Sequence, residues 1–140
     1  MTPFSLDILT PEKPFFKGEC VSLVIPTSDG MMGILANHSP LTAAVHDGKI
    51  VFTLPDGTLR VCAVTRGMVN VASKRVRVLC ESAIDPADID VEQERLAMQE
   101  AELELRKKQS YEEYMASQLA FAKAINRLKV KQYAAMHTNL

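Results

Sequence analysis

The strongest constraint on this chain is a change of period near residue 85. Before it, apolar residues alternate with polar ones; after it, they recur every three, four or seven positions. All six glycines and six of the seven prolines lie at or before Ile84, and only Pro86 follows. Side chains alternate faces along a strand but return to the same face of a helix about every 3.6 residues, so the two stretches demand different elements. The sequence therefore predicts a β domain over 1–84 and a helical segment over 85–140.

In the first part, Phe4, Leu6 and Ile8 alternate with Ser5 and Asp7. Val21, Leu23 and Ile25 share a face, as do Ile50, Phe52 and Leu54, and Leu59, Val61 and Ala63. Val76, Val78 and Cys80 alternate with Arg75 and Arg77. Such runs are strands with one dry and one wet face. Pro55-Asp56-Gly57 between two runs reads as a hairpin turn, and Asp29-Gly30 and Asp47-Gly48 supply residues that tolerate positive φ. About eight to ten short strands of this kind form a flattened sandwich or barrel.

The second part is rich in Ala, Glu, Lys, Leu and Gln. Asp88 is the expected N-cap of a first helix, with Asp90 adding favourable charge in its first turn. Ile89, Leu96 and Leu103 repeat at seven, and Ala97, Ala101 and Leu105 at four. Lys107-Lys108 suits the closing turn, and Ser110-Tyr111-Glu112-Glu113 fits a capping box that opens a second helix. There Tyr114, Gln118, Phe121, Ile125, Leu128, Gln132 and Ala135 follow spacings of four and three. A short link makes the pair an antiparallel hairpin. Its stripes are Ala-rich and bury little area, so the hairpin is marginal alone and suited to switching between partners.

Several function classes are excluded by simple features. A net charge of −1 gives no global attraction to nucleic acid or anionic lipid. No apolar run approaches the roughly 20 residues that span a bilayer, and the start Met1-Thr2-Pro3-Phe4 lacks the pattern of a signal peptide. Cys20, Cys62 and Cys80 are odd in number and far apart, so they read as reduced, buried small hydrophobes. His38, His46 and His137 lack metal-ligand spacing, and Asp85, Asp88 and Asp90 read as helix-start carboxylates, so no metal site is expected. Ser39 beside His38 lacks the base-and-orienter arrangement of a nucleophile, and no catalytic residue is expected. Gly30 and Gly33 read as turn and close-packing glycines, because no GxxxxGK[ST] loop surrounds them.

The most distinctive stretch is Asp29-Gly30-Met31-Met32-Gly33-Ile34-Leu35-Ala36-Asn37-His38-Ser39-Pro40-Leu41. With Leu6-Asp7-Ile8-Leu9-Thr10-Pro11-Glu12, Asp47-Gly48-Lys49-Ile50, Arg66-Gly67-Met68-Val69-Asn70-Val71, Leu79-Cys80-Glu81-Ser82-Ala83 and Ala122-Lys123-Ala124-Ile125-Asn126-Arg127-Leu128-Lys129-Val130, it resembles, in order and over nearly the whole chain, the epsilon subunit of F-type rotary ATP synthases. The resemblance implies a non-catalytic stalk subunit of a proton-translocating enzyme on the cytoplasmic face of a bacterial membrane. Its partners would be the gamma subunit, the c-ring and the alpha/beta head. One face of the β domain would pack on gamma, and Asp29 and Met31 at the loop tip would meet the ring. The hairpin would fold down or extend into the head and block ATP hydrolysis through a basic helix carrying Lys123, Arg127, Lys129 and Lys131.

Some members of that family bind regulatory ATP through Ile/Leu-Asp-x-x-Arg-Ala at the hairpin start, a nearby Glu and arginines on the second helix. Glu81, Ile89, Asp90 and Arg127 match that nucleotide set, but Gln93 and Glu94 replace Arg-Ala, Arg95 comes two residues late, and Lys123 replaces another arginine. A helix residue shifted by two points about 200° away, so these departures argue against a nucleotide cofactor. The rival readings are a stand-alone adaptor with a β module and a helical hairpin, and a freestanding ATP sensor.

Overall fold

The computed structural model describes residues 1–107 and 109–137. The chain divides into two units, Met1–Asp85 and Pro86–Leu140.

The first unit is a sandwich of two five-stranded sheets. Its strands are β1 (Phe4–Leu9), β2 (Pro14–Cys20), β3 (Ser22–Thr27), β4 (Gly30–Ile34), β5 (Leu41–Val45), β6 (Gly48–Thr53), β7 (Leu59–Val64), β8 (Gly67–Ala72), β9 (Arg75–Cys80) and β10 (Ala83–Ile84). One sheet has the order β2-β1-β9-β8-β5 and the other β10-β7-β6-β3-β4. β1 and β9 pair in parallel; the remaining pairs are antiparallel. The core between the sheets is made largely by the alternating residues picked out above, with Leu6, Ile8, Val76 and Val78 from one sheet and Leu23, Ile25, Ile50 and Phe52 from the other. On β7, however, Cys62 and Val64 enter it rather than the Leu59, Val61 and Ala63 face, because core residue Ile50 of β6 pairs with Cys62. Pro26 sits in the interior strand β3 at no cost to the ladder, because β6 pairs only with Ser22–Val24. Arg60 lies 5.6 Å from the Phe52 ring centroid and 5.8 Å from that of Phe16, and its guanidinium reaches Asp85 at 3.4 Å.

Strict alternation breaks on β1 and β7 as well as at the consecutive buried pair Ile25-Pro26 of β3. Asp7 falls on the outward side of β1 yet is only 8% exposed, because Arg75 and Arg77 reach its carboxylate at 3.3 and 3.6 Å. β7 is buried on both faces from Val61 to Val64.

The three cysteines are free and buried. Burial pushes the Cys20 thiol up to about 12 and the Cys80 thiol up to about 11, and it raises Cys62 further, helped by neighbouring Cys80. The folded chain therefore keeps these protons where the unfolded chain releases them. This contribution to stability is complete below the unfolded thiol value near 9 and is lost as pH rises toward 11. Urea unfolding at pH 8 and pH 10.5 should show a decline of up to about 1.4 kcal/mol per thiol per pH unit, flattened when the cysteines are replaced by alanine.

In the second unit a 3-10 turn at Pro86–Asp88 precedes α1 (Val91–Leu105), and α2 spans Tyr111–His137. The N-cap of α1 is Asp90, whose side chain accepts the Gln93 N–H; Asp88 is taken up by the 3-10 turn. Ser110 opens α2 as expected, accepting the Glu113 N–H at 3.2 Å and donating to its carboxylate. Lys107 pairs with Glu104, while Lys108 lies outside the described residues. The two helices pack together as a hairpin.

The helix faces differ from the periodicity reading. Leu96 and Leu103 are 62% and 58% exposed, and the inward face of α1 carries Glu94, Ala97, Met98, Ala101 and Leu105. On α2 the fully buried residues are Ala124, Val130 and Ala134, with Phe121, Arg127 and Leu128 half-buried. Tyr114, Gln118, Gln132 and Ala135 are exposed. Glu94 and Arg127 meet on the packed side together with Met98, Leu105, Phe121, Leu128 and Val130, and Leu96 and Leu103 fall on the opposite, outward side.

Candidate docking surfaces

The outward face of the first sheet carries an apolar row that alternation would have made polar. Leu9 of β1 is aligned with Leu79 of β9, Leu79 with Met68 of β8, and Met68 with Ala44 of β5. The four side chains thus lie side by side across four strands, at the spacing at which cross-strand neighbours touch. Leu79 and Met68 are each 51% exposed.

A cavity of about 340 Å³ opens at one end of this row, lined by Leu9, Thr10, Pro11, Arg66, Gly67, Leu79, Cys80 and Glu81. Local structure builds it. The pairing of β1 with β2 shifts register after Ile8, and Thr10 closes the following turn by donating to the Lys13 carbonyl at 2.7 Å. On the other side, Gly67 lets β8 approach β9 closely: a Cβ there would overlap the Leu79 carbonyl oxygen and lie 2.7 Å from the Cys80 Cα. The Arg66 N–H donates to the Asp47 carboxylate at 2.8 Å, which fixes the turn before β8. The result is an apolar socket rimmed by one cation and one anion, beside a flat apolar strip. The raised thiol value keeps Cys80 neutral and unreactive within it.

The β3–β4 tip is a second exposed feature. Thr27 accepts the Asp29 N–H through its hydroxyl and donates to the Gly30 carbonyl at 2.7 Å, and Gly30 has φ +111°. Asp29 and Met31 are exposed at this tip. Gly33 does not act as a close-packing glycine, since a Cβ there meets nothing within 4 Å. Further along the same motif, Asn37 takes the left-handed conformation at φ 65°, and the His38 ring donates from Nδ1 to the Ser39 carbonyl at 2.8 Å.

The basic residues of α2 divide into two pairs. Lys123 and Lys129 are exposed. Arg127 reaches Glu94 at 3.1 Å, and Lys131 donates to the Pro86 carbonyl at 2.7 Å. Of the residues matching a nucleotide motif, Glu81 belongs to the first unit and lines the socket, whereas Ile89, Asp90 and Arg127 belong to the second. Ile89 is buried, Asp90 caps α1, and Arg127 holds Glu94. Among the described residues no group of three or more His, Cys, Asp or Glu converges as a metal site, and no helix is long and apolar enough to cross a membrane.

Sequence reasoning passed over the apolar row. Its signal was present, as apolar residues at positions where period two calls for polar ones: Leu9 after Ile8, Met68 before Val69, and Leu79 between Val78 and Cys80.

Comparison with known proteins agrees with this architecture. Residues 3–86 match the model of the ATP synthase delta/epsilon chain β-sandwich domain, and residues 87–132 that of its long α-helix domain. The ATP synthase epsilon chain of Ruminiclostridium cellulolyticum is 38% identical over 128 residues, covering 91% of this chain and 95% of that one. That of Caldicellulosiruptor bescii is 34% identical over 132 residues, covering 94% and 96%. In fold, the chain resembles one from the Euglena gracilis mitochondrial ATP synthase OSCP/F1/c-ring assembly, with TM-score 0.78, 19% identity, and coverage of 94% and 80%. It also resembles one from the Tetrahymena thermophila central stalk and c-ring, with TM-score 0.60, 11% identity, and coverage of 93% and 94%. A β-sandwich followed by a two-helix segment, matched by both domain models and by relatives over nearly its whole length, places this chain in the family of ATP synthase epsilon chains.

Proposed function

We propose that the chain is a non-catalytic rotor subunit of a proton-translocating ATP synthase on the cytoplasmic face of a bacterial membrane. In this reading the outward face of the first sheet grips the gamma shaft. The observation that carries it is the aligned row of Leu9, Leu79, Met68 and Ala44 with the socket at its end. Half-exposed leucine and methionine side by side, next to an apolar cavity with a polar rim, form the kind of surface a permanent partner covers. The Asp29–Met31 tip is assigned to the c-ring, where a carboxylate and a methionine can meet polar and apolar groups of the ring loops.

The hairpin is assigned to regulation of hydrolysis. Each helix contributes a single inward stripe in which alanines alternate with larger apolar residues, so the hairpin is a thin unit that a competing partner can open. Lys123, Arg127, Lys129 and Lys131 supply positive charge for acidic segments of the alpha/beta head. Regulatory ATP is left out, because Arg127 already has a carboxylate as counter-ion and a phosphate would have to displace it.

The test is reconstitution with gamma and the catalytic head. The chain should co-purify with gamma, and reversing the charge of Lys123, Arg127, Lys129 and Lys131 together should raise ATP hydrolysis several-fold without loss of assembly. Unchanged hydrolysis in the charge-reversed complex would remove the inhibitory role, and failure to co-purify with gamma would remove the stalk role.

A further inference from the structure

We infer that Glu94 is an internal latch: it holds the hairpin closed through Arg127, and by doing so withholds that cation from any acidic partner. The inference rests on the regulatory reading of the hairpin but concerns a step before contact with the head.

The pair is placed where it matters. The carboxylate oxygen and guanidinium nitrogen are 3.1 Å apart, one on each helix, with side chains only 11% and 19% exposed. Around them the inward faces mix alanines with Met98, Leu105, Phe121, Ile125, Leu128 and Val130, while Leu96 and Leu103 point outward. The charged pair is a largely buried polar contact within this seam, and it favours one register because a shifted pairing would leave two buried charges without partners. A second tie runs in parallel, from Lys131 to the Pro86 carbonyl at the foot of the hairpin. Both ties use groups on α2 that are basic and both end on the segment before or within α1. Opening the hairpin breaks them together and exposes two cations that the closed form occupies.

The basic helix is thus divided by state. Lys123 and Lys129 are exposed in the closed hairpin; Arg127 and Lys131 become available only on opening. An acidic surface competes with Glu94 for Arg127, so such a partner binds the open form and pulls the equilibrium toward it. Removing the carboxylate has the opposite consequence from removing the guanidinium. Both loosen the hairpin, but only the first leaves the partner-binding cation intact.

Hydrogen exchange of the full chain reads the latch directly, with Glu94→Gln, Arg127→Gln and the double variant. Breaking a largely buried pair by removing one partner should speed exchange in residues 91–137 by at least about tenfold, with 4–80 unchanged. The double variant should be no faster than the faster single one, because the two residues act through one interaction. Unaltered exchange in both single variants, or additive effects in the double, would overturn the latch. In the reconstituted complex, Glu94→Gln should deepen inhibition of ATP hydrolysis and Arg127→Gln should relieve it. If both variants exchange faster yet hydrolysis is the same in all complexes, the latch stands and the inhibitory assignment of the helix fails.

Discussion

Replacing Leu79 by aspartate should leave the isolated chain folded and abolish its capture by gamma. Leu79 is half exposed on an outward face, so the free chain loses little packing, and the thermal midpoint should move by only a few degrees. In the proposed complex with gamma the same position would be covered. Loss of the leucine removes about 2 kcal/mol of apolar burial, and the new carboxylate must be stripped of water, with Arg66 across the socket offsetting part of that penalty. A total near 3–4 kcal/mol corresponds to at least about a hundredfold loss of affinity. Calorimetry of the variant with purified gamma, beside its thermal unfolding, checks both halves. Binding as tight as that of the natural chain would remove the outward sheet face as the proposed gamma-binding surface.

The largest effect on folding is expected at Gly67. It pairs with Cys80 of β9 on one side and with Val45 of β5 on the other, so β8 is held from both edges. A methyl group here meets backbone, the Leu79 carbonyl and the Cys80 Cα, neither of which can rotate away. Gly67→Ala should therefore spread β8 from β9, collapse the socket and destabilise the sandwich by about 3 kcal/mol or more. For a domain of this size the midpoint would fall by more than about 10 °C. Gly33→Ala is the matched control, since its Cβ enters open space and its φ is not in the left-handed region. Comparable losses for the two would mean that close approach of β8 to β9 does not limit stability.

Both predictions rest on residues that are ordinary in sequence. Nothing local marks Gly67 as different from Gly33; the second even belongs to the more distinctive motif. What separates them is the distance to a strand whose residues lie more than ten positions away, and that is a property of the assembled sheet. The same is true of Leu9 and Leu79, which are neighbours in the parallel pair of β1 and β9 although 70 residues apart.

The sequence by itself determined that a β unit precedes a helical one, because a side-chain period of two and one of 3.6 cannot be satisfied by the same backbone. It also determined the core strands, through runs such as Val76-Arg77-Val78, and local devices such as the Ser110 cap, whose partner lies three residues away. Only the tertiary structure decided which face of each element is covered. Periodicity groups Leu96 with Leu103 on one helical face, but it does not say whether that face or the Glu94–Ala101 face meets α2; in the assembled hairpin the second does, with Glu94 paired to Arg127. The docking row was decided in the same way, since register across four strands, not order along one, brings Leu9, Leu79, Met68 and Ala44 together. Local pattern fixes the conformation of a segment, whereas a surface is fixed by what lies beside it.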